Sequence, residues 1–378
     1  MDADVQEGPL RRLAFVVTRS DAPGGAQFQV LRLAAALRDA GHIARVFVGG
    51  EGPFVDLLRE ANVDCTPLQH MVRPIAPVSD VRGLLELRQA MVDFRPDLIT
   101  AHSAKAGWLG RGVGRLLGVP SVFTVHGQPL SPGRLAPSRR ILRRVDQVAS
   151  TLCHSMIFVS HYDRSVAVEH GIGHPHQHAV VHNAVPDVPP SLRADVTRTP
   201  PRLIMVARLD RPKLPVLAVR ALAELRDVPW TFEIVGDGPL RSEVERAVAA
   251  TGLDDRITLL GARDDVPQRL AAAQAFVLAS NREGLPVSVL EAMRAGLPVV
   301  VSDAGGTSET VIEGETGFVV PRKDQGAMRD ALRRVLGNAS VRAAMGAAGR
   351  AHYEAEFSFG VHLRRVWSVY ARAIRESR

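Results

Sequence analysis

Short apolar, β-branched runs alternate with amphipathic or turn segments along the whole chain, and that order leaves few folds open. LAFVVT, IARVFVGG, DLITAHS, SVFTVHG, SMIFVS and HAVVHNAV form a first series. RLIMVARL, TFEIVGDG, RITLLG, AFVLAS, LPVVVSD and TGFVV form a second. Between them lies DVPPSLRADVTRTPPR, rich in proline and charge and without periodicity, which reads as a linker. Near-continuous apolar runs are what strands covered on both faces require, so the pattern predicts parallel sheets assembled from βαβ units. The expected class is α/β, with two doubly wound domains facing one another: 1–186, a linker over 187–202, and 203–354. Residues 355–378 place Val361, Val366, Val369, Tyr370 and Ile374 at helical spacing and predict a terminal helix.

Length and composition narrow the function. A chain of 378 residues accommodates two ordinary domains. No run of eighteen apolar residues exists to span a membrane, and the start, MDADVQEGPLRR, lacks an apolar signal core, so a cytoplasmic protein is expected. Cys65 and Cys153 are far apart and lack metal-ligand spacing, so they read as reduced, buried thiols, and no metal site is expected from them. The formal charge of +7 suggests an anionic partner, but aromatic content of 5% and scattered arginines offer no stacking platform for nucleic acid. Lysine occurs only at Lys105, Lys213 and Lys323. An ammonium on a flexible stem suits a phosphate.

The densest chemistry lies in SNREGLPVSVLEAMRAGLPVVVSDAGG, where a strand runs into a turn and a helix started by Pro286 and closed by Gly296. The amides of Gly284, Leu285 and the residues after Pro286 are unpaired donors at a helix start, a suitable seat for a diphosphate. Glu283 and Glu291 flank that seat, and a carboxylate accepts hydrogen bonds from vicinal hydroxyls, as on a ribose or hexose. Two glutamates at this spacing also occur on ordinary solvated helix faces.

Other candidates sit at strand ends, where doubly wound sheets hold ligands. Arg208 and Lys213 follow LIMVA, with a phosphate clamp and a solvated loop as the alternatives. Gly24 and Gly25 stand between the first strand and helix, in a turn that is not G-x-G-x-x-G. His126 ends SVFTV, and His102 and Lys105 end the preceding strand. Gly236 and Gly261 end successive strands of the second domain, and Arg263 follows. SPGRLAPSRRILRR concentrates five arginines before the apolar face Ile141, Leu142, Val145, Val148 and Leu152. A footprint on an anionic membrane through 131–152 and a solvated helix remain alternatives there.

EGLPVSVLEAMRAGLPVV with SDAGGTSETVIEGETGFVV closely resembles the nucleotide-binding half of the retaining family-four glycosyltransferases, which have the GT-B fold. The likeness is strong from Arg208 to Val320 and looser before Asp187. It implies that Glu283 contacts the donor sugar, Glu291 the nucleoside ribose, and Arg208 and Lys213 the diphosphate. It further implies a donor-sugar contact for His126, phosphate proximity for the Gly24–Gly25 loop, and a nucleobase pocket around Gly261 to Arg263. His102 and Lys105 fall in a segment like one in polysaccharide-building members, with Lys105 assigned to acceptor or phosphate. Ala207 and Leu214 stand where the family commonly has glycine. The terminal helix, by the same likeness, returns to the first domain.

The resemblance implies a retaining hexosyltransferase working by front-face attack, with Glu283 not a nucleophile. A nucleotide-sugar is the co-substrate, with uridine diphosphate first and guanosine diphosphate second, and no other cofactor. The acceptor is a hydroxyl, lipid-linked or on a glycan intermediate, and the enzyme sits in the cytoplasm or peripherally on the inner face of the membrane. No metal-binding D-x-D stands beside a sugar site, so metal independence is expected. The alternatives are a sugar-nucleotide epimerase of the same fold and a non-catalytic nucleotide-sugar-binding protein.

Overall fold

A computed structural model describes residues 9–21, 23–72, 74, 76–127, 130 and 137–377. The chain divides into two compact units: residues 1–182 with 360–378, and residues 183–359. Each is built on one wholly parallel sheet.

In the first unit, β1 (Arg12–Val17), β2 (Ile43–Gly49), β3 (Asp64–Leu68), β4 (Leu98–His102), β5 (Ser121–Val125), β6 (Ser155–Phe158) and β7 (His178–Val180) run in the order β3-β2-β1-β4-β5-β6-β7. Register pairs Leu13 with Leu98 and Val17 with His102. The β1, β4, β5 and β6 runs bury nearly every residue because helices cover both faces. The helix Phe359–Glu376 closes this unit with His362, Leu363, Val366, Val369, Tyr370 and Ile374 buried. Val361, expected on that face, is only partly buried.

The second unit repeats the plan: β8 (Arg202–Val206), β9 (Thr231–Val235), β10 (Ile257–Gly261), β11 (Ala275–Leu278), β12 (Val299–Ser302) and β13 (Gly317–Val320), in the order β10-β9-β8-β11-β12-β13. Arg342, 1% exposed on the helix Ala339–His352, donates to the carbonyls of Val335 and Leu336 at 3.1 and 2.9 Å and so satisfies the open end of the helix Gln325–Leu336.

Residues 187–202, read as a linker, are ordered along the second unit. Arg350 grips Asp187 through two bonds of 2.6 and 2.7 Å, and the Ala194 amide donates to the Ala295 carbonyl at 2.7 Å. Proline and charge look solvated in a sequence, but a bidentate arginine can fix such a stretch. Cys153 is buried as expected, while Cys65 is only partly so, and both are free thiols.

Gly346 tests how tightly the second unit packs. A Cβ there would lie 2.2 Å from the Gly296 carbonyl oxygen. Alanine improves helix propensity by about 1 kcal/mol, but overpacking costs about 1–3 kcal/mol. Gly346→Ala is therefore expected to lower the urea midpoint; an unchanged or higher midpoint would show that the two backbones separate freely.

Candidate functional site

In each sheet the chain adds strands in one direction and then reverses, at β1/β4 in the first unit and β8/β11 in the second. Loops leaving adjacent strands at such a point run to opposite faces and leave a crevice at the carboxyl ends. Most of the polar residues expected to carry function lie beside these two points.

At the first point Thr18 Oγ1 and Ser103 Oγ are 2.7 Å apart, and the Ala106 amide donates to Thr18 Oγ1 at 3.0 Å. Ser103 has φ of 92°, a strained value for a residue with a side chain, at the turn into the helix Ala104–Leu117. His102, 1% exposed, is stacked between Phe15 at 5.9 Å and His126 at 5.2 Å, and its Nδ1 lies 2.9 Å from His126 Nε2. His126 borders a cavity of about 220 Å³ that Ser103, Arg111, Phe123 and Asp146 also line. His102 is thus held behind His126. The Lys105 ammonium is already neutralised by Asp80 at 2.6 Å and also meets the Pro74 carbonyl. Gly24 caps the helix Gly25–Asp39, its φ of −136° needing no glycine, and its amide meets Gln27 Oε1 at 3.2 Å.

Burial sets the electrostatics of this cluster. It pushes His126 down to about 4, with His362 adding repulsion, and pushes His362 itself down to about 4. His102 is lowered by burial and then by His126 and His362.

At the second point, Lys213 and Ser280 form a bridge between the loops after β8 and β11, and the Leu214 amide donates to the Ala279 carbonyl at 2.9 Å. Lys213 pairs with Glu283 Oε1, which also accepts from Ser280 Oγ at 2.5 Å. The two charged side chains are only 16% and 11% exposed. Gly305, with φ of 67°, lies against the same residue, since a Cβ on it would sit 2.1 Å from the Glu283 carbonyl oxygen. Arg208 is 68% exposed and meets Asp210 at 2.5 Å. Gly236, with φ of 132°, could carry no Cβ without coming within 2.0 Å of the Ala207 carbonyl oxygen, and its amide donates to Gly261 at 2.8 Å. The loops bearing Arg208, Gly236 and Gly261 are therefore interlocked. Arg263 extends beyond them and binds Asp265 at 2.9 and 3.2 Å.

The expected anion seat starts one residue late. Pro286 is the N-cap, the helix is Val287–Arg294, and Glu291 is partly buried just over one turn in. Leu285 is 4% exposed, and its carbonyl accepts from Asn183 Nδ2 at 2.9 Å, which fixes the approach to the helix. The amides of Gly284 and Leu285 make no backbone hydrogen bond among the described residues.

Sequence reasoning missed Ser280, Thr100, Tyr370 and Asn183. Ser280 stands three residues before Glu283 in a turn, and Thr100 and His102 alternate onto one face of β4, so both pairs carried a local signal. Tyr370 and Asn183 act across gaps of 270 and 102 residues and carried none.

The pattern of glycosyltransferase family 4 matches residues 23–188, and that of glycosyl transferases group 1 matches residues 193–352. The 2-deoxystreptamine N-acetyl-D-glucosaminyltransferase of Streptomyces fradiae is 31% identical over 84% of this chain and 83% of its own. The chain belongs to glycosyltransferase family 4. The chain is also similar to the UDP-Gal:alpha-D-GlcNAc-diphosphoundecaprenol alpha-1,3-galactosyltransferase of Escherichia coli, 29% identical over 75% of this chain and 77% of its own. The Anabaena protein Alr3699/HepE, solved with UDP, superposes with a TM-score of 0.82 at 22% identity, covering 96% of this chain and 100% of that one. That likeness is one of fold, and the fold is GT-B.

The histidine cluster of this family-4 chain gives it an acid limit. Below the ordinary value of 6.5 the unfolded chain protonates these histidines, whereas folded His126 and His362 resist until about 4. Stability contributed by the neutral cluster is therefore whole above the upper value and declines as pH falls through the window. Urea midpoints measured at about pH 7 and about pH 5 should show a loss on the order of a few kcal/mol; equal midpoints would mean the rings are not held neutral.

Proposed function

We propose that this glycosyltransferase moves a hexosyl unit, with retention of configuration, from a uridine-diphosphate sugar to a hydroxyl acceptor. The observation carrying this reading is the Lys213–Glu283–Ser280 cluster at the β8/β11 reversal, followed directly by the helix start at Pro286. Cation, carboxylate and helix amides within one short loop set suit a ligand carrying both diphosphate and hydroxyls.

In the proposed step the bond from the anomeric carbon to the diphosphate oxygen breaks while the acceptor oxygen bonds to that carbon on the same face. The acceptor's proton passes to the departing phosphate oxygen, so no enzyme nucleophile is needed, and Glu283 serves as a sugar contact. Negative charge growing on the diphosphate is met by Arg208, Lys213 and the amides at Gly284 and Leu285. Glu291 accepts from the ribose, with Gly261 and Arg263 beside the base. These groups stand in for a divalent cation, and no other cofactor is invoked. Support for uridine comes from the donor named for the Escherichia coli relative and from the UDP in the Anabaena structure.

The same Escherichia coli relative is named for a diphosphoundecaprenol acceptor, which favours a lipid-linked acceptor here. On the helix Pro137–Ser150, Ile141, Val145 and Val148 are 69%, 38% and 66% exposed at one-turn spacing. Arg140 and Arg144 are exposed beside them. An apolar stripe edged by arginines fits peripheral contact with an anionic cytoplasmic leaflet. Residues 131–136 of the basic segment lie outside the described residues. No helix among the described residues is long and apolar enough to cross a membrane.

Lys213→Ala is expected to lower kcat/KM for the best UDP-sugar by about 10²–10³-fold, with wild-type activity unchanged by EDTA. Activity lost to EDTA and restored by a divalent ion would remove the metal-independent reading. A product whose mass equals that of the donor would point to epimerisation. Ile141→Asp combined with Val148→Asp should abolish co-sedimentation with phosphatidylglycerol vesicles while leaving transfer to a soluble acceptor intact; unchanged sedimentation would dismiss the membrane contact.

A further inference from the structure

A chain of four side chains runs through the first unit and ends at His126. Tyr370 Oη lies 2.8 Å from Thr100 Oγ1, Thr100 Oγ1 lies 3.1 Å from His102 Nε2, and His102 Nδ1 lies 2.9 Å from His126 Nε2. Tyr370 and Thr100 have no exposed surface and His102 has 1%. Each proton in such a chain must be placed on one side or the other of its hydrogen bond, and burial decides where.

Thr100 Oγ1 is the only hydrogen-bond partner of the Tyr370 hydroxyl among the described residues. If Thr100 donated to it, the phenolic proton would have no acceptor, and an unmet buried donor costs about 1–3 kcal/mol. Tyr370 therefore donates to Thr100. Thr100 has one other partner, His102 Nε2, and so its own proton goes there. His102 Nε2 must then be the bare nitrogen, which puts the proton of this neutral ring on Nδ1. That proton is donated to His126 Nε2, which leaves the proton of neutral His126 on its own Nδ1. The order is fixed from the far end by a single phenol on the helix Phe359–Glu376.

We propose that Tyr370, Thr100 and His102 form a hydrogen-bond relay of fixed polarity that locks His126 in the Nδ1–H tautomer, so that His126 offers a donor, not a base, to its ligand. The Nδ1 atom has no hydrogen-bond partner among the described residues, and the ring borders the cavity lined by Ser103 and Phe123. A group able to meet it carries a lone pair, as a hydroxyl or ether oxygen of a sugar does. A metal ion or a proton-donating ammonium would be refused. His102, Thr100 and Tyr370 act through His126 and are positioning residues. The sugar identity of the ligand rests on the nucleotide-sugar reading, whereas the tautomer does not.

Full-length protein labelled with ¹⁵N-histidine would show the tautomers directly in long-range ¹H–¹⁵N correlation spectra, with His126 assigned by loss of its signals in His126→Asn. The expected spectrum has His102 and His126 both protonated on Nδ1; Nε2 protonation of His126 would overturn the relay. In Thr100→Val the Nδ1–H fraction of His126 should fall, Thr100→Ser should restore it, and the donor KM should rise about tenfold in Thr100→Val with its recovery in Thr100→Ser. Tyr370→Phe, which removes one oxygen and leaves the ring packing, serves if Thr100→Val does not fold, and it should likewise mix the tautomers. An unaltered His126 tautomer in a folded Thr100→Val or Tyr370→Phe protein would also overturn the proposal. Nδ1–H signals in a protein that turns over no nucleotide-sugar would keep the relay and remove only the sugar ligand.

Discussion

Each sheet of this protein reverses its direction of growth once, and every feature of the candidate site depends on that reversal. At the reversal two adjacent strands send their loops to opposite faces, so the carboxyl ends of β1 and β4, and of β8 and β11, lack the covering found elsewhere along the sheet. Polar groups placed there reach a ligand without disturbing the apolar layers. His102 at the end of β4, and Ser280 and Glu283 after β11, occupy those gaps, while the residues behind them are almost entirely apolar and buried.

The two units use the same frame for different electrostatics. In the first unit burial holds His102 and His126 away from their charged forms, and a hydrogen bond of 2.9 Å links them. In the second the groups are charged but paired: Lys213 and Glu283 are both largely withdrawn from water, with Ser280 on the same carboxylate oxygen. Withdrawing either alone would leave a poorly solvated charge. A neutral directional group suits discrimination among hydroxyls, and a paired cation suits a ligand whose own charge changes.

The fold was largely legible in the sequence because strands buried on both faces must be apolar throughout, and helices between them must be amphipathic. LAFVVT and AFVLAS admit little else. The helix after β11 was legible too, through Pro286 and Gly296, with its start displaced by one residue. The ordering of residues 187–202 was not legible because the bond between Arg350 and Asp187 joins positions that nothing local connects. The partner of Lys105 was hidden for the same reason, since Asp80 pairs with it from another helix. Tyr370 falls on the expected apolar face of the terminal helix, and Arg342 stands in a helix whose sequence names no partner for it; only the tertiary structure shows the phenol meeting Thr100 and the guanidinium closing a helix end.

The first unit is discontinuous: its sheet is complete by β7, yet its closing helix, Phe359–Glu376, is encoded only after the whole second unit. On a ribosome the sheet would therefore wait, one apolar flank uncovered, while some 180 further residues are made. During that interval the pocket around His126 lacks the phenol that orders it, so a nascent chain carries the binding groups before it carries the wiring. Competence would arrive late and all at once, and stalled or prematurely terminated products would be conspicuous to the cell's quality-control machinery by their bare flank.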